Sequence, residues 1–178
     1  MNLLNAWQRV SSVDNNLCLL VNRISHRRMP AQFFRFISRI GDGVFWYALM
    51  LVLPLSYGFY GLYTSAVMAI VGIVNLFLYK QCKGSISRER PYVTIDSINL
   101  VCAPLDRYSF PSGHTLQAVG FTVVATSFFP ALWVLLYPMT FLIALSRPIL
   151  GLHYPSDVVV AALTGYIIAH GVLLILQP

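Results

Sequence analysis

Residues 111–157 read PSGHTLQAVGFTVVATSFFPALWVLLYPMTFLIALSRPILGLHYPSD, two polar clusters separated by a run with no charge from Thr115 to Ser146. Pro130 divides that run. Extended back to Pro111 and on to Leu150, it makes two helices of about 20 residues each, the second starting near Ala131, which is the length needed to cross a bilayer core of about 30 Å. The same reading applies upstream, where the 37 residues from Gly43 to Tyr79 carry no charge. They hold two more helices, with Gly58-Phe59-Tyr60-Gly61 as the turn between them. A last span starts near Ser156 and runs to the C-terminus. The expectation is an all-α integral membrane protein of about five transmembrane helices, forming one domain over residues 1–178.

Composition agrees. The chain is 57% hydrophobic and 10% charged, with a mean hydropathy of +0.69, whereas a soluble domain carries about 25% charged residues. Residues 1–42 differ from the remainder. Leu17, Leu19, Leu20 and Val21 with Trp7 outline one amphipathic helix, and Phe33, Phe34, Phe36, Ile37 and Ile40 interleaved with Arg35 and Arg39 outline another. Neither is long or apolar enough to cross, so both are expected to lie in the membrane interface. Residues 43–178 are the expected transmembrane core. No cleavable signal peptide is expected at the N-terminus, because LLNAWQRV is too short an apolar run and the polar SSVDNN follows it.

The net charge of +6 does not point to nucleic acid. Arg23, Arg27, Arg28, Arg35 and Arg39 precede the first span, where bases mark topology or attract anionic headgroups. Cys18, Cys82 and Cys102 have no metal-type spacing and read as small apolar filler. His170, well inside the last span, reads as a packing residue.

Three polar blocks remain: Lys83-x6-Arg90-Pro91, Pro111-Ser112-Gly113-His114 and Ser146-Arg147-x5-His153-x3-Asp157. The first pair of spans crosses and returns, as does the second, so parity brings all three blocks to one side of the bilayer at helix ends. The loop from Lys80 to Phe110 lies on that side too, and loops this long are usually functional.

The chemistry of these residues is that of phosphoryl transfer. His153 and Asp157 share a helical face, so Asp157 is expected to accept a hydrogen bond from one imidazole nitrogen and free the other to attack. Ser156 or Asp157 is also placed to cap the last helix. Ser112 and Gly113 open a helix whose N-terminal N–H groups suit an anion, and His114 is placed to protonate a leaving oxygen. Lys83, Arg90 and Arg147 supply cations for phosphoryl oxygens. Arg147 abuts the uncharged run, where a charge is costly and marks function.

The complete set resembles the type 2 phosphatidic acid phosphatase superfamily, shared with acid phosphatases and vanadium haloperoxidases, whose signature is K-x6-RP, PSGH and SR-x5-H-x3-D. The blocks cover residues 83–157, and the hydropathy pattern extends the resemblance over most of the chain. By that resemblance His153 is the nucleophile that forms a phosphohistidine, Asp157 its partner and His114 the general acid, while Lys83, Arg90, Ser112, Gly113 and Arg147 bind phosphate. The resemblance implies no metal ion and no other cofactor. Six-span relatives carry an extra helix ahead of the region matching Asp14–Asn22, so the N-terminus here is expected on the catalytic face.

The implied activity is metal-independent hydrolysis of a membrane lipid phosphate. Undecaprenyl diphosphate is the first choice, and phosphatidic acid, phosphatidylglycerol phosphate and lipid A phosphates are alternatives. A transporter or binding scaffold is the rival from another class; it calls for a broken motif or charges in mid-membrane, and neither is present. The expected location is the inner membrane, multi-pass. Family resemblance puts the site on the periplasmic face. The charge pattern argues for the cytoplasmic face, because all twelve Lys and Arg fall on the catalytic side of this topology.

Overall fold

The computed structural model describes residues 3–176, with side chains described from residue 11 onward. Trp7, expected on the apolar face of the first helix, and the last two residues of the final span therefore lie outside the described side chains. Seven α-helices and two 3-10 turns follow one another, with no strand among the described residues. They are α1 (Leu3–Asn22), α2 (Arg28–Gly41), α3 (Val44–Ser85), the short α4 (Pro91–Thr94), α5 (Gly113–Phe128), α6 (Trp133–Ile149) and α7 (Pro155–Leu176).

Although α3 is 42 residues long, it is not one rod. Gly58 has φ 58° and ψ −133°, a backbone region that side chains with a Cβ avoid. The Ser65 hydroxyl donates to the Met50 carbonyl at 2.8 Å, although those residues would stand about 22 Å apart along a straight helix. The chain therefore folds back at Gly58, as the run GFYG implied. Gly61 makes the return possible: a Cβ there would stand 2.1 Å from the Leu53 carbonyl oxygen.

Three helices, α3, α6 with its preceding 3-10 turn, and α7, are long and apolar enough to cross a membrane. The hairpin divides the first into two arms. At 16 residues, α5 is about 24 Å long and falls short of the expected 20 residues, since the polar start of its expected span remains irregular. By length and hydropathy three helices qualify among the described residues, the first of them folded into two arms; five spans were expected.

The inner position of α5 follows from its sequence, since apolar and small residues surround it on all sides. Leu116, Phe121, Val124 and Phe128 are buried, as are Thr115 and Thr122. The core around it takes Trp46, Leu53, Met68 and Val71 from α3 and Leu136 and Ile143 from α6. Polar side chains inside this core meet partners across helices: Asn75 donates to the Leu116 carbonyl at 3.2 Å, and the Thr122 and Thr140 hydroxyls pair at 2.6 Å. The outer faces of α3, α6 and α7 expose large apolar residues such as Leu55, Phe59, Phe141, Leu163 and Ile167, as a lipid-facing surface requires. The Gly58 turn lies beside the α5–α6 connection, with the Tyr57 and Phe129 ring centroids 4.5 Å apart. These aromatic residues mark the end of the bundle opposite the polar motifs.

Gly61→Ala should wedge the hairpin apart and lower the unfolding temperature in detergent. Gly84→Ala, with nothing within 4 Å of an added Cβ, should leave it unchanged. Equal behaviour of the two variants would contradict the tight return.

Candidate active site

The loop after α6 carries His153, and the loop before α5 wraps over it. The Ser109 N–H donates to the Arg88 carbonyl at 2.8 Å, and the Ser112 N–H reaches the Asp157 carbonyl at 3.4 Å. These bonds bring the Ser109 carbonyl to 2.5 Å from His153 Nδ1. A carbonyl only accepts, so Nδ1 carries the proton and Nε2 keeps its lone pair. Nε2 lies 3.4 Å from Arg90 Nη1. Burial pushes the imidazole well below its ordinary pKa, and the charges of Arg147, Arg90 and Lys83 push it further. His153 is therefore a neutral base aimed at a cation.

The expected imidazole–carboxylate hydrogen bond is absent: Asp157 Oδ2 stands 3.9 Å from Nδ1, and the Ser109 carbonyl holds the ring instead. The oxygens of Asp157 are engaged elsewhere. Oδ2 accepts the Tyr154 N–H at 3.0 Å, the carboxylate half of a capping box at the start of α7. Oδ1 accepts from Arg88 Nη1 at 2.6 Å. Arg88 also donates to Asp14 Oδ2 at 2.6 Å and stacks 3.9 Å over the Tyr154 ring. Asp14 in turn accepts the Ser156 N–H at 3.0 Å. The first helix thus docks on the start of α7 through a buried carboxylate, at the end of the bundle that holds His153.

Lys83 and Arg90 converge as the K-x6-R spacing implied. Arg90 is 1% exposed and donates to the Leu152 carbonyl at 2.7 Å. Both cations also hold Asp106: Lys83 Nζ at 2.7 Å and Arg90 Nη2 at 2.8 Å share its Oδ1, and the Tyr79 hydroxyl donates to Oδ2. Burial alone would raise the Asp106 pKa, but the hydrogen bonds from Lys83 and Tyr79 outweigh it and hold the carboxyl below its ordinary range.

Arg147 is also buried, donates to the Ser38 hydroxyl at 2.5 Å and leaves Nε without a partner. Ser112 is fully buried and its hydroxyl pairs with Thr115 at 3.0 Å. At Gly113 an added Cβ would stand 2.8 Å from the Tyr79 ring.

His114 sits between two cavities, and its Nε2 pairs with Asp42 Oδ1. One cavity, of about 290 Å³, is largely apolar and lined by Trp46, Leu76, Leu105, Leu116 and Phe121 among others. The other, of about 260 Å³, is lined by Arg35, Arg39, Ser38 and Arg147. Asp42, His114 and Leu105 border both.

Sequence reasoning did not single out Tyr79, Arg88, Asp106, Ser109, Asp14, Asp42 or Ser38 as site residues. One signal was available: with only six acids in the chain, each carboxylate near a motif deserved a partner, and Asp14, Asp42, Asp106 and Asp157 all have one here. Among the described residues no group of three or more His, Cys, Asp or Glu is arranged to hold a metal ion.

A family described as the PAP2 superfamily matches residues 59–178. The fold is similar to that of LpxE from Aquifex aeolicus, with a TM-score of 0.76 and 25% identity over 89% of this chain and 93% of that one. It is also similar to a transmembrane PAP2-type phosphatidylglycerolphosphate phosphatase from Bacillus subtilis, with a TM-score of 0.78 and 22% identity over 94% and 86% of the two chains.

A neutral buried His153 has a consequence for stability. The unfolded chain takes up a proton at this imidazole near pH 6.5, while the folded chain does not until a lower pH. The unfolded state binds more protons in that window, so stability falls as pH drops below about 6.5. Acidification should therefore lower the unfolding temperature of the wild type more steeply than that of His153→Gln. Parallel slopes would contradict the assignment.

Proposed function

The chain belongs to the PAP2 superfamily of membrane phosphatases, and we propose that it hydrolyses a lipid phosphate or diphosphate through a phosphohistidine at His153. The observation that carries this reading is the orientation of that imidazole. Nδ1–H is spent on a backbone carbonyl, and the Nε2 lone pair faces Arg90 beside Lys83.

In the first step Nε2 attacks phosphorus, the bond from phosphorus to the leaving oxygen breaks, and His114 gives that oxygen a proton. Lys83, Arg90 and Arg147 balance the charge on the phosphoryl oxygens, with the Ser112-Gly113 start of α5 supplying N–H groups. In the second step His114 takes a proton from water, the water oxygen attacks phosphorus, and the P–N bond breaks to release inorganic phosphate and restore His153. Asp157 acts through Arg88 and through the turn at Tyr154, holding the His153 loop in place. Asp42 orients His114.

A lipid substrate suits the surroundings. The apolar cavity abuts His114, so acyl or prenyl carbons can lie against Leu76, Leu116 and Phe121 while the phosphoryl group meets the cations. Undecaprenyl diphosphate is the preferred substrate, with phosphatidic acid, phosphatidylglycerol phosphate and lipid A phosphates as alternatives. The N-terminal helices lie at the interface on the catalytic side, and the active site faces the periplasm from the inner membrane.

Phosphate release by the purified protein from these lipids tests the reading. His153→Ala should lose turnover by about 10⁶-fold, the scale seen when a nucleophile is removed, while remaining folded; near-normal turnover would end the mechanism. Vanadate should inhibit and EDTA should not, and inhibition by EDTA that Mg²⁺ reverses would overturn the metal-independent route. Asp157→Asn should slow turnover less than His153→Ala, because the Ser109 carbonyl still fixes the tautomer; equal losses would mean direct Asp157–His153 pairing during the reaction.

A further inference from the structure

The proposed phosphate clamp already holds an anion that the chain itself supplies. Asp106 Oδ1 takes hydrogen bonds from Lys83 at 2.7 Å and Arg90 at 2.8 Å, Oδ2 takes one from Tyr79, and Arg90 Nε adds a bond to the Asp106 carbonyl at 3.0 Å. A carboxylate in this setting satisfies the same donors that two oxygens of a phosphoryl group would satisfy. Beside this pair lies His153, which is only 2% exposed and whose free nitrogen faces Arg90. Asp106 belongs to the irregular stretch between α4 and α5, and its side chain is 31% exposed. It can withdraw without unwinding a helix.

We propose that Asp106 is an internal competitor for the phosphate clamp, seated on Lys83 and Arg90 between turnovers, displaced when a phosphoryl group enters, and returning as inorganic phosphate leaves. This rests on the assignment of Lys83 and Arg90 as the clamp.

The physical advantage is twofold. Lys83 and the fully buried Arg90 would otherwise be uncompensated charges in an apolar setting whenever no substrate is bound, which is costly. A competitor also weakens every external phosphoryl group by the same factor, because only the open fraction of clamps can bind. Such uniform weakening costs nothing in turnover once substrate is saturating, and it hastens departure of a multiply charged product from a cluster of cations. The opposing view, a purely structural ion pair, predicts the opposite sign: loss of Asp106 would then loosen the clamp and weaken binding.

The test is Asp106→Asn, which keeps the shape and removes the charge, with Asp106→Glu as the conservative control. The detergent-purified protein is assayed with a lipid phosphomonoester, and inhibition by inorganic phosphate and by vanadate is measured. KM and both inhibition constants should fall together by about tenfold or more, with kcat lowered by slow phosphate release and the wild-type values largely restored in Asp106→Glu. Unchanged or raised constants, or a lower kcat alone, would overturn the proposal. Should Asp106→Asn not purify as a folded protein, Asp106→Ser carries the same expected sign. Lys83→Met separates the clamp from its competitor. If it weakens vanadate while Asp106→Asn fails to tighten it, the clamp stands and the competitor falls. If vanadate is indifferent to Lys83→Met, the clamp assignment fails and takes the competitor with it.

Discussion

A guanidinium withdrawn from water inside a hydrophobic protein must be surrounded by oxygen, and the way Arg90 meets that demand organises this site. Its donors are met by the Leu152 carbonyl, the Asp106 carbonyl and the Asp106 carboxylate. These contacts tie the start of α4 to the loop before α5 and, 62 residues on, to the loop before α7. Because the loop before α5 is pulled down onto Arg90, the Ser109 carbonyl meets His153 and sets its tautomer. The cation suited to binding phosphate is thus also the one that holds the loops around His153 together.

The carboxylates form the second tier. In a chain with six acids, Asp14 and Asp157 both bond to Arg88, Asp106 answers Lys83 and Arg90, and Asp42 answers His114. None of these acids is free to act as a simple surface charge. Asp157 is the clearest case, since its position in the motif implies an orienter and its hydrogen bonds make it a cap and an ion-pair partner. Its nearest hydrogen-bonded link to His153 is the turn it caps, through the Tyr154 N–H.

What the sequence disclosed follows from what leaves a local signature. Uncharged runs revealed the apolar helices, and the Gly58–Gly61 turn was legible because a hairpin needs a residue without a Cβ at both the bend and the crossing. Motif spacing brought Lys83, Arg90, His114, Arg147 and His153 to one end of the bundle. Spacing is silent on contacts made by backbone carbonyls, so the role of Ser109 could not be read. It is equally silent on Asp106, an isolated acid in an irregular loop, and on Asp14, which reaches α7 from 142 residues away. The length of α5 was overestimated because Pro111 and Ser112 read as part of a span, whereas the Ser112 N–H turns to the Asp157 carbonyl.

The most direct measurement of the central claim is a rapid-quench experiment with a ³²P-labelled lipid phosphate. The account predicts protein-bound label that is stable to base, labile to acid, located at residue 153 and formed no later than the first turnover. Phosphate release in the first turnover with no protein-bound label at any time would contradict it.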